Sequence, residues 1–276
     1  MTLKSKILER ILIAGSIILV VLWLFPYIYV ICCSFKPGAE VIAVPPTFFP
    51  KVFSVENFAN LFQRMDALKF LMNSLSTSLI STMIALILGS LAAYAIQRSG
   101  SRISVGLIVL ILCLKMIPTS SIAVPIYEII SRLGLYDTRI ALIIVYAAIN
   151  MPFVMWTMLS FYEGIPRTLD EAACVDGCTS HQTFWKIILP IASPGLATAF
   201  IFTLFQAWND FLIALLLTST TAKTFTVGLA GFLSAYSIDL GPMCAGAFLF
   251  SFPVMVLSLA AQRYIVRGIT AGAVKG

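Results

Sequence analysis

Between Glu163 and Ser193 the chain carries acidic, small and aromatic residues at spacings that suit protein docking. Ala172 and Ala173 leave little side chain, so the groove of another protein can approach the backbone closely. Glu171 and Asp176 offer charge to a basic partner, and Gly177 permits a sharp bend. Phe184, Trp185, Ile187, Ile188 and Leu189 then form an apolar arm that ends at Pro190. One arm suits docking and the other suits transmission of force into a helical bundle. An amphipathic interfacial hairpin without a partner is the alternative reading of the same composition.

A second set of polar groups lies inside apolar runs. Lys115 and Asp210 are charges at positions where charge is expensive and marks a cavity or a partner. Counted from Ile103 and Gly195, they lie 12 and 15 residues along their runs. At 1.5 Å per residue both depths come to about 20 Å. The expectation is that they pair; separate roles at subunit contacts are the alternative. Gln206, Trp208 and Asn209 share the neighbourhood of Asp210. Amides, a carboxylate and an aromatic face bind polar solutes, so Gln206, Trp208, Asn209 and Asp210, with Lys115, are candidate pathway and ligand-contact residues.

Other chemistry lacks material. There is no G-x-x-x-x-G-K-[ST] and no Gly-Lys dipeptide, so the chain cannot cradle a nucleotide through a P-loop. H-E-x-x-H and G-x-S-x-G are absent, and His181 is the single histidine. Cys174 and Cys178 lie one helical turn apart, but with only His181 nearby a zinc site is not expected. Cys32, Cys33, Cys113 and Cys244 read as small packing residues. No catalytic residue, metal site or cofactor is expected in this chain, and no basic block suggests nucleic acid.

The elements that must position these groups follow from composition. Of 276 residues, 60% are hydrophobic and 11% charged, with a net charge of +6. That excludes a disordered chain, a disulfide scaffold and an ordinary soluble enzyme. Lipid is the expected solvent. Charge-free runs cover 11–35, 70–97, 140–162, 187–209 and 240–262, and 103–127 is broken only by Lys115. Each is long enough to cross a bilayer as a helix. The expected fold is all-α and polytopic, with six spans at about 11–35, 72–96, 103–126, 140–162, 195–217 and 243–263. The fifth is expected to run unbroken past Asp210. The first is too long for a signal-peptide core and is read as a retained helix. With the N-terminus inside, 10 of the 18 Lys and Arg fall in inside segments and 7 in outside ones. The bias favours cytoplasmic N- and C-termini.

Local signals divide the 163–193 segment. Thr168 with Glu171, and Thr179 with Gln182, fit capping boxes. Gly177 fits a C-terminal stop of positive φ, and Pro190 should end the second helix. The hydroxyl-rich start of span two, Ser74 to Thr82, reads as close helix packing. Pro118, Pro125 and Pro152 are possible helix interruptions. The 36–70 segment, with Pro45, Pro46 and Pro50, suits a small surface cap. Gly228, Gly231 and Gly241 would let the 219–242 segment bend, unless it is a disordered connector.

Glu171-Ala172-Ala173, then Gly177, nine residues, then Ile187 and Leu189-Pro190, resembles the EAA loop of ABC importer membrane subunits. The pattern EAA-x3-G-x9-I-x-L-P is met at every defined position, in a loop before the penultimate span. The likeness extends to Asn73-Ser74-Leu75, Met116-Ile117-Pro118, Pro152-Phe153 with Trp156, and Trp208-Asn209-Asp210-Phe211. The tail from Arg267 to Gly276 resembles the end of the maltose-type carbohydrate permeases of the binding-protein-dependent family.

That resemblance implies an inner-membrane permease: a cytoplasmic N-terminus (1–10), a six-helix domain (11–263, coupling loop 163–193) and a cytoplasmic tail (264–276). It implies that Glu171, Ala172, Ala173, Asp176, Gly177, Ile187, Leu189 and Pro190 couple to separate ATPase subunits. The implied partners are a second, unlike permease subunit, two ATPase subunits that use ATP and Mg, an external solute-binding protein, a carbohydrate and membrane lipid. The 219–242 segment resembles the loop that reaches into that binding protein. A permease for another solute, such as glycerol phosphate, is the nearer rival, and an ion-coupled transporter the more distant one.

Overall fold

The computed structural model describes the backbone of residues 3–99, 102–233 and 239–273. Side chains are described for 10–99, 104, 106–233 and 239–259. The side chains of Lys4, Lys6 and the Arg267–Gly276 tail, and the centre of the 219–242 segment, lie outside these residues.

The described chain is helical. In order it forms α1 (Leu3–Ser34), α2 (Gly38–Val41), α3 (Glu56–Arg64), α4 (Ala67–Ser99), α5 (Arg102–Met116), α6 (Thr119–Arg132) and α7 (Arg139–Glu163). There follow α8 (Thr168–Val175), α9 (Ser180–Thr183), a π-helical turn (Phe184–Ile188), α10 (Leu189–Ile191), α11 (Ser193–Asn209), α12 (Leu212–Leu217), α13 (Phe225–Ala230) and α14 (Leu240–Ala273). Four stretches are long and apolar enough to cross a membrane: Arg10–Ser34, Ala67–Ser99, Arg139–Glu163 and Leu240–Leu259. Among the described residues the total reaches six if each of two bent helix pairs counts as one span.

Two of the expected spans are interrupted. The third is not continuous: α5 and α6 meet at 94°, because the helix breaks at Ile117–Pro118. Pro118 adopts φ −61° and ψ 131°, an extended conformation outside the helix. Pro125 and Pro152 stay within their helices. The fifth span stops at Asp210, whose ψ of 135° is extended, and resumes as α12. The carboxylate of Asp210 accepts the Ala214 N–H at 3.0 Å, a side-chain bond that competes with the helical ladder. The start of α11 also differs, with Pro194 in its first turn. Pro190 does not end the preceding helix. It lies in α10, and the bend of 79° comes between Ile191 and Ser193. Pro190 has no N–H, and its ring crowds the carbonyl four residues back. The widened π turn falls where that crowding would occur.

The chain divides into two compact units, Met1–Leu68 with Gly228–Phe252, and Lys69–Val227 with Pro253–Gly276. In the first unit the Asn57 amide donates to the carbonyls of Cys33, Ser34 and Lys36, at 3.2, 3.3 and 2.7 Å. Cys33 and Ser34 close α1, where terminal carbonyls need partners, and Lys36 follows it. Gly241 packs against this amide, where a Cβ would come within 2.2 Å of Asn57 Oδ1. Within the 36–70 segment, Glu40 accepts the Lys51 N–H and the Thr47 hydroxyl, which hold its carboxyl below the usual range. The outer surface of α1 is apolar, with Trp23 81% exposed.

The second unit holds two cores. One gathers Leu86 and Ala93 of α4, Val154, Met158 and Tyr162 of α7, and Phe184 and Ile188 of the π turn. The other joins Leu142 and Tyr146 of α7 to Ala207, Ile213 and Leu217 around the α11–α12 break. Gly195 permits close approach of α11 to α7, since a Cβ there would lie 2.5 Å from the Phe161 ring.

Candidate coupling segment and pathway cluster

The 163–193 segment is built from two capped arms. At the end of α8, Gly177 takes φ 82°. The Cys178 N–H bonds the Ala173 carbonyl at 2.9 Å, and the Gly177 N–H bonds Cys174 at 3.0 Å. That pair of bonds is a Schellman stop, and it needs the left-handed glycine. The second arm starts with a complete capping box, Thr179 with Gln182, at 2.9 and 3.3 Å. The expected box of Thr168 with Glu171 is not formed. Arg167 occupies the cap position in helical conformation, with no side-chain cap.

The structure turns Glu171, Ala172, Asp176 and Gly177 outward. Ala173 faces inward and is buried. Ile187 and Leu189 are half-buried against the first core of this unit, and Pro190 is exposed. Phe184 and Ile188 enter that core fully. Trp185 stays partly exposed and donates to His181 Nε2 at 2.9 Å.

Sequence reasoning passed over Asp170. Consecutive helical residues point about 100° apart, so an Asp-Glu pair cannot present both carboxylates in one direction. Glu171 faces solvent, while Asp170 turns to α4. There it accepts the Tyr94 hydroxyl and lies 2.9 Å from the Arg98 guanidinium. Arg98 also donates through both terminal nitrogens to the Ile165 carbonyl at 3.2 Å. Arg167 donates to the Gln97 carbonyl at 2.8 Å.

The pathway candidates gather around the α11–α12 break, in a different arrangement from the one expected. Lys115 does not pair with Asp210. Lys115 Nζ donates to Gln206 Oε1 at 3.2 Å and lies 5.4 Å from the centre of the Phe153 ring. Asp210 accepts the Tyr146 hydroxyl at 2.9 Å as well as the Ala214 N–H. Equal depth along two helices fixes height but not azimuth, and the two charges take different neighbours. Trp208 is buried, whereas Gln206 and Asn209 are exposed. Asn209 donates to the carbonyl of Phe205 at 2.9 Å.

A third constellation, also unforeseen, holds the start of the 219–242 segment. Asp137 accepts N–H groups from Ser219, Thr220, Thr221 and Ala222, at 3.0, 3.2, 2.9 and 3.1 Å. Burial alone would raise its pKa, but these backbone donors together outweigh it and hold the carboxyl well below the usual range. From α4, Asn73 donates to the carbonyls of Thr221 and Lys223, and the Ser74 hydroxyl accepts the Phe225 N–H. Asp137 itself sits at φ 56°. Gly134, three residues earlier, is also at positive φ.

Residues 85–271 match the family described as the binding-protein-dependent transport system inner membrane component. The chain belongs to that family. The permease is 38% identical over 271 residues to the trehalose transport system permease protein SugB of Mycobacterium tuberculosis, covering 96% of this chain and 95% of the relative. It is 32% identical over 279 residues to the trehalose/maltose transport system permease protein MalG of Thermococcus litoralis, covering 99% and 100%. Its fold matches a chain of a bacterial ABC transporter involved in import of the acidic polysaccharide alginate, with a TM-score of 0.81. That match spans 96% of this chain and 98% of the other at 20% identity. The chain is thus an all-α, multi-pass ABC importer permease of the inner membrane.

Proposed function

We propose that this permease is one of two unlike membrane subunits of an ATP-driven carbohydrate importer, and that it moves sugar inward by alternating access. Its termini lie in the cytoplasm, and the Glu171–Gly177 helix docks on separate ATPase subunits that bind Mg and ATP. Ile187, Leu189 and Pro190 continue that dock into the bundle. The observation that carries this reading is the asymmetry of the 163–193 segment. Its first arm presents Glu171, Ala172 and Asp176 to solvent, and its second sinks Phe184 and Ile188 into the core. A rigid Schellman stop joins the two, so a push on the first arm reaches the second with little slack.

An external binding protein delivers solute to the 219–242 side, where Asp137 and Asn73 brace the approach. Lys115, Gln206, Trp208, Asn209 and Asp210 line or support the pathway around a broken helix. Irregular backbone at membrane depth is tolerated where it lines a cavity. A carbohydrate cargo is supported by the trehalose and maltose relatives and by the exposed amides of Gln206 and Asn209.

Gly177→Pro tests the coupling. Proline fixes φ near −65°, incompatible with the 82° found there. Membranes carrying the variant should retain the inserted chain and lose co-purifying ATPase subunits and uptake together. Undiminished uptake in cells without any ATPase subunit would instead establish an ion-coupled transporter. Mass spectrometry of the small molecule held by the purified binding protein reads the cargo directly, and a glycerol phosphate there would replace the carbohydrate assignment.

A further inference from the structure

We propose that Asp170 is a positioning residue that clamps the α8 docking helix to the end of α4 through Tyr94 and Arg98. A displacement of α8 then moves α4 with it. This inference rests on the docking of ATPase subunits on α8.

Three features single out the clamp. First, it is sequestered: the Arg98 and Asp170 side chains are only 15% and 21% exposed. An ion pair at that depth is poor evidence of stability, because desolvation cancels much of its attraction, but it specifies geometry. Second, it is multiply tied. Arg98 donates to the Ile165 carbonyl and sets its charge 2.9 Å from the Asp170 carboxylate, an ion pair without a hydrogen bond, so one guanidinium meets both α8 and the turn before it. The guanidinium also lies 5.7 Å from the centre of the Tyr94 ring. Third, Tyr94 stands at a junction. Its ring meets Tyr162 of α7 edge-on at 5.8 Å and Phe184 of the π turn at 5.1 Å, while its hydroxyl holds Asp170. Both arms of the 163–193 segment therefore meet the same tyrosine.

None of these groups belongs to the outward face of Glu171, Ala172 and Asp176. Clamp and dock are separable by mutation. The experiment uses the complete transporter in proteoliposomes with loaded binding protein, and measures solute moved per ATP hydrolysed. Asp170→Asn and Arg98→Gln should still bring down the ATPase subunits and should lower that ratio by about fivefold to tenfold, the scale of a typical coupling energy. Tyr94→Phe keeps the ring and removes only the hydroxyl. It should lower the ratio by a smaller factor, and it serves if the charge variants fail to fold. The swap Asp170→Arg with Arg98→Asp should recover at least half of the lost coupling. Wild-type ratios in all three single variants would overturn the clamp and leave the docking intact. A wild-type chain that brings down no ATPase subunit would overturn both.

Discussion

Asp137 accepts the backbone N–H of Thr221 at 2.9 Å across a sequence separation of 84 residues, and three neighbouring N–H groups converge on the same carboxylate. A loop between two helices is thereby organised by one side chain from another loop. Asp137→Ala removes every acceptor and also places alanine at a φ of 56°. A hydrogen bond to a charged group contributes roughly 1.5–3 kcal/mol net, and four bonds that share one half-exposed carboxylate contribute less than their sum. A net destabilisation of about 2–3 kcal/mol is expected. Asp137→Asn keeps one oxygen and tolerates the left-handed backbone, so it should cost about half as much. Thermal unfolding in detergent, with limited proteolysis at 218–225, measures both. An unchanged cleavage pattern in the alanine variant would refute this role.

The same carboxylate sets a pH dependence whose sign is definite. Its folded pKa is depressed, so its contribution is fully present above the unfolded value near about 4. It is lost as pH falls through the folded value. Between pH 7 and 5 this group contributes no slope. Below about pH 4 the wild-type melting temperature should fall more steeply than that of Asp137→Asn. Parallel acid limbs for the two proteins would show that Asp137 is not the group responsible.

The parts of the fold legible in the sequence were those that depend on local physics. Gly177 and the Thr179–Gln182 box read correctly because a cap is decided within a turn of chain. Long apolar runs gave α1, α4, α7 and α14. Local pattern failed where a tertiary partner competes. Thr168 and Glu171 have the capping spacing, yet α8 begins with Arg167 in helical conformation, held to α4 by the Gln97 carbonyl. Pro118 breaks a helix and Pro152 does not, although both are prolines in apolar runs. Asp170 and Asp137 were passed over for one reason. Their partners, Arg98 and the 219–222 backbone, are 72 and 82–85 residues distant, and no spacing rule connects them.

Gly177 offers a test of conformation separated from packing. Apart from the flanking residues, no atom of this chain lies within 4 Å of a Cβ built there, so in the free permease an alanine meets no clash. The left-handed backbone costs a non-glycine residue about 1–2 kcal/mol. Gly177→Ala should weaken the α8 stop by that amount and Gly177→Asn by less, with Gly177→Val worst because it is β-branched. Hydrogen exchange at the Cys178 N–H, which bonds Ala173, should rise in the same order. Equal exchange in all three variants would exclude a conformational origin.

Asn57 supports the end of α1 through its amide nitrogen, alongside the backbone N–H groups of Phe35 and Lys36. Asn57→Asp therefore removes the donor and sets a carboxylate against three carbonyls. Leaving buried acceptors unsatisfied costs about 1–3 kcal/mol, and the added negative charge costs more. Asn57→Asp should be less stable than Asn57→Ala, and lowering the pH towards protonation of the new carboxyl should narrow the gap. The alanine variant being the less stable at neutral pH would mean that the amide fills space and does not cap.

Lys115 and Asp210 provide the last test, since each has a partner other than its opposite charge. Reversing both charges together should not rescue either single reversal. Tyr146→Phe and Asp210→Ala, by contrast, each break the same 2.9 Å bond. Residues that share one interaction are non-additive, so the double variant should be no worse than the more damaging single by more than about 0.5 kcal/mol. Gln206→Leu should reproduce part of the Lys115→Met defect, because it leaves the ammonium without its amide acceptor. Uptake rates in cells, set against the amount of inserted chain, read all of these changes. Recovery of transport in the doubly reversed Lys115→Asp, Asp210→Lys chain would show that the two charges meet at some stage of the transport cycle.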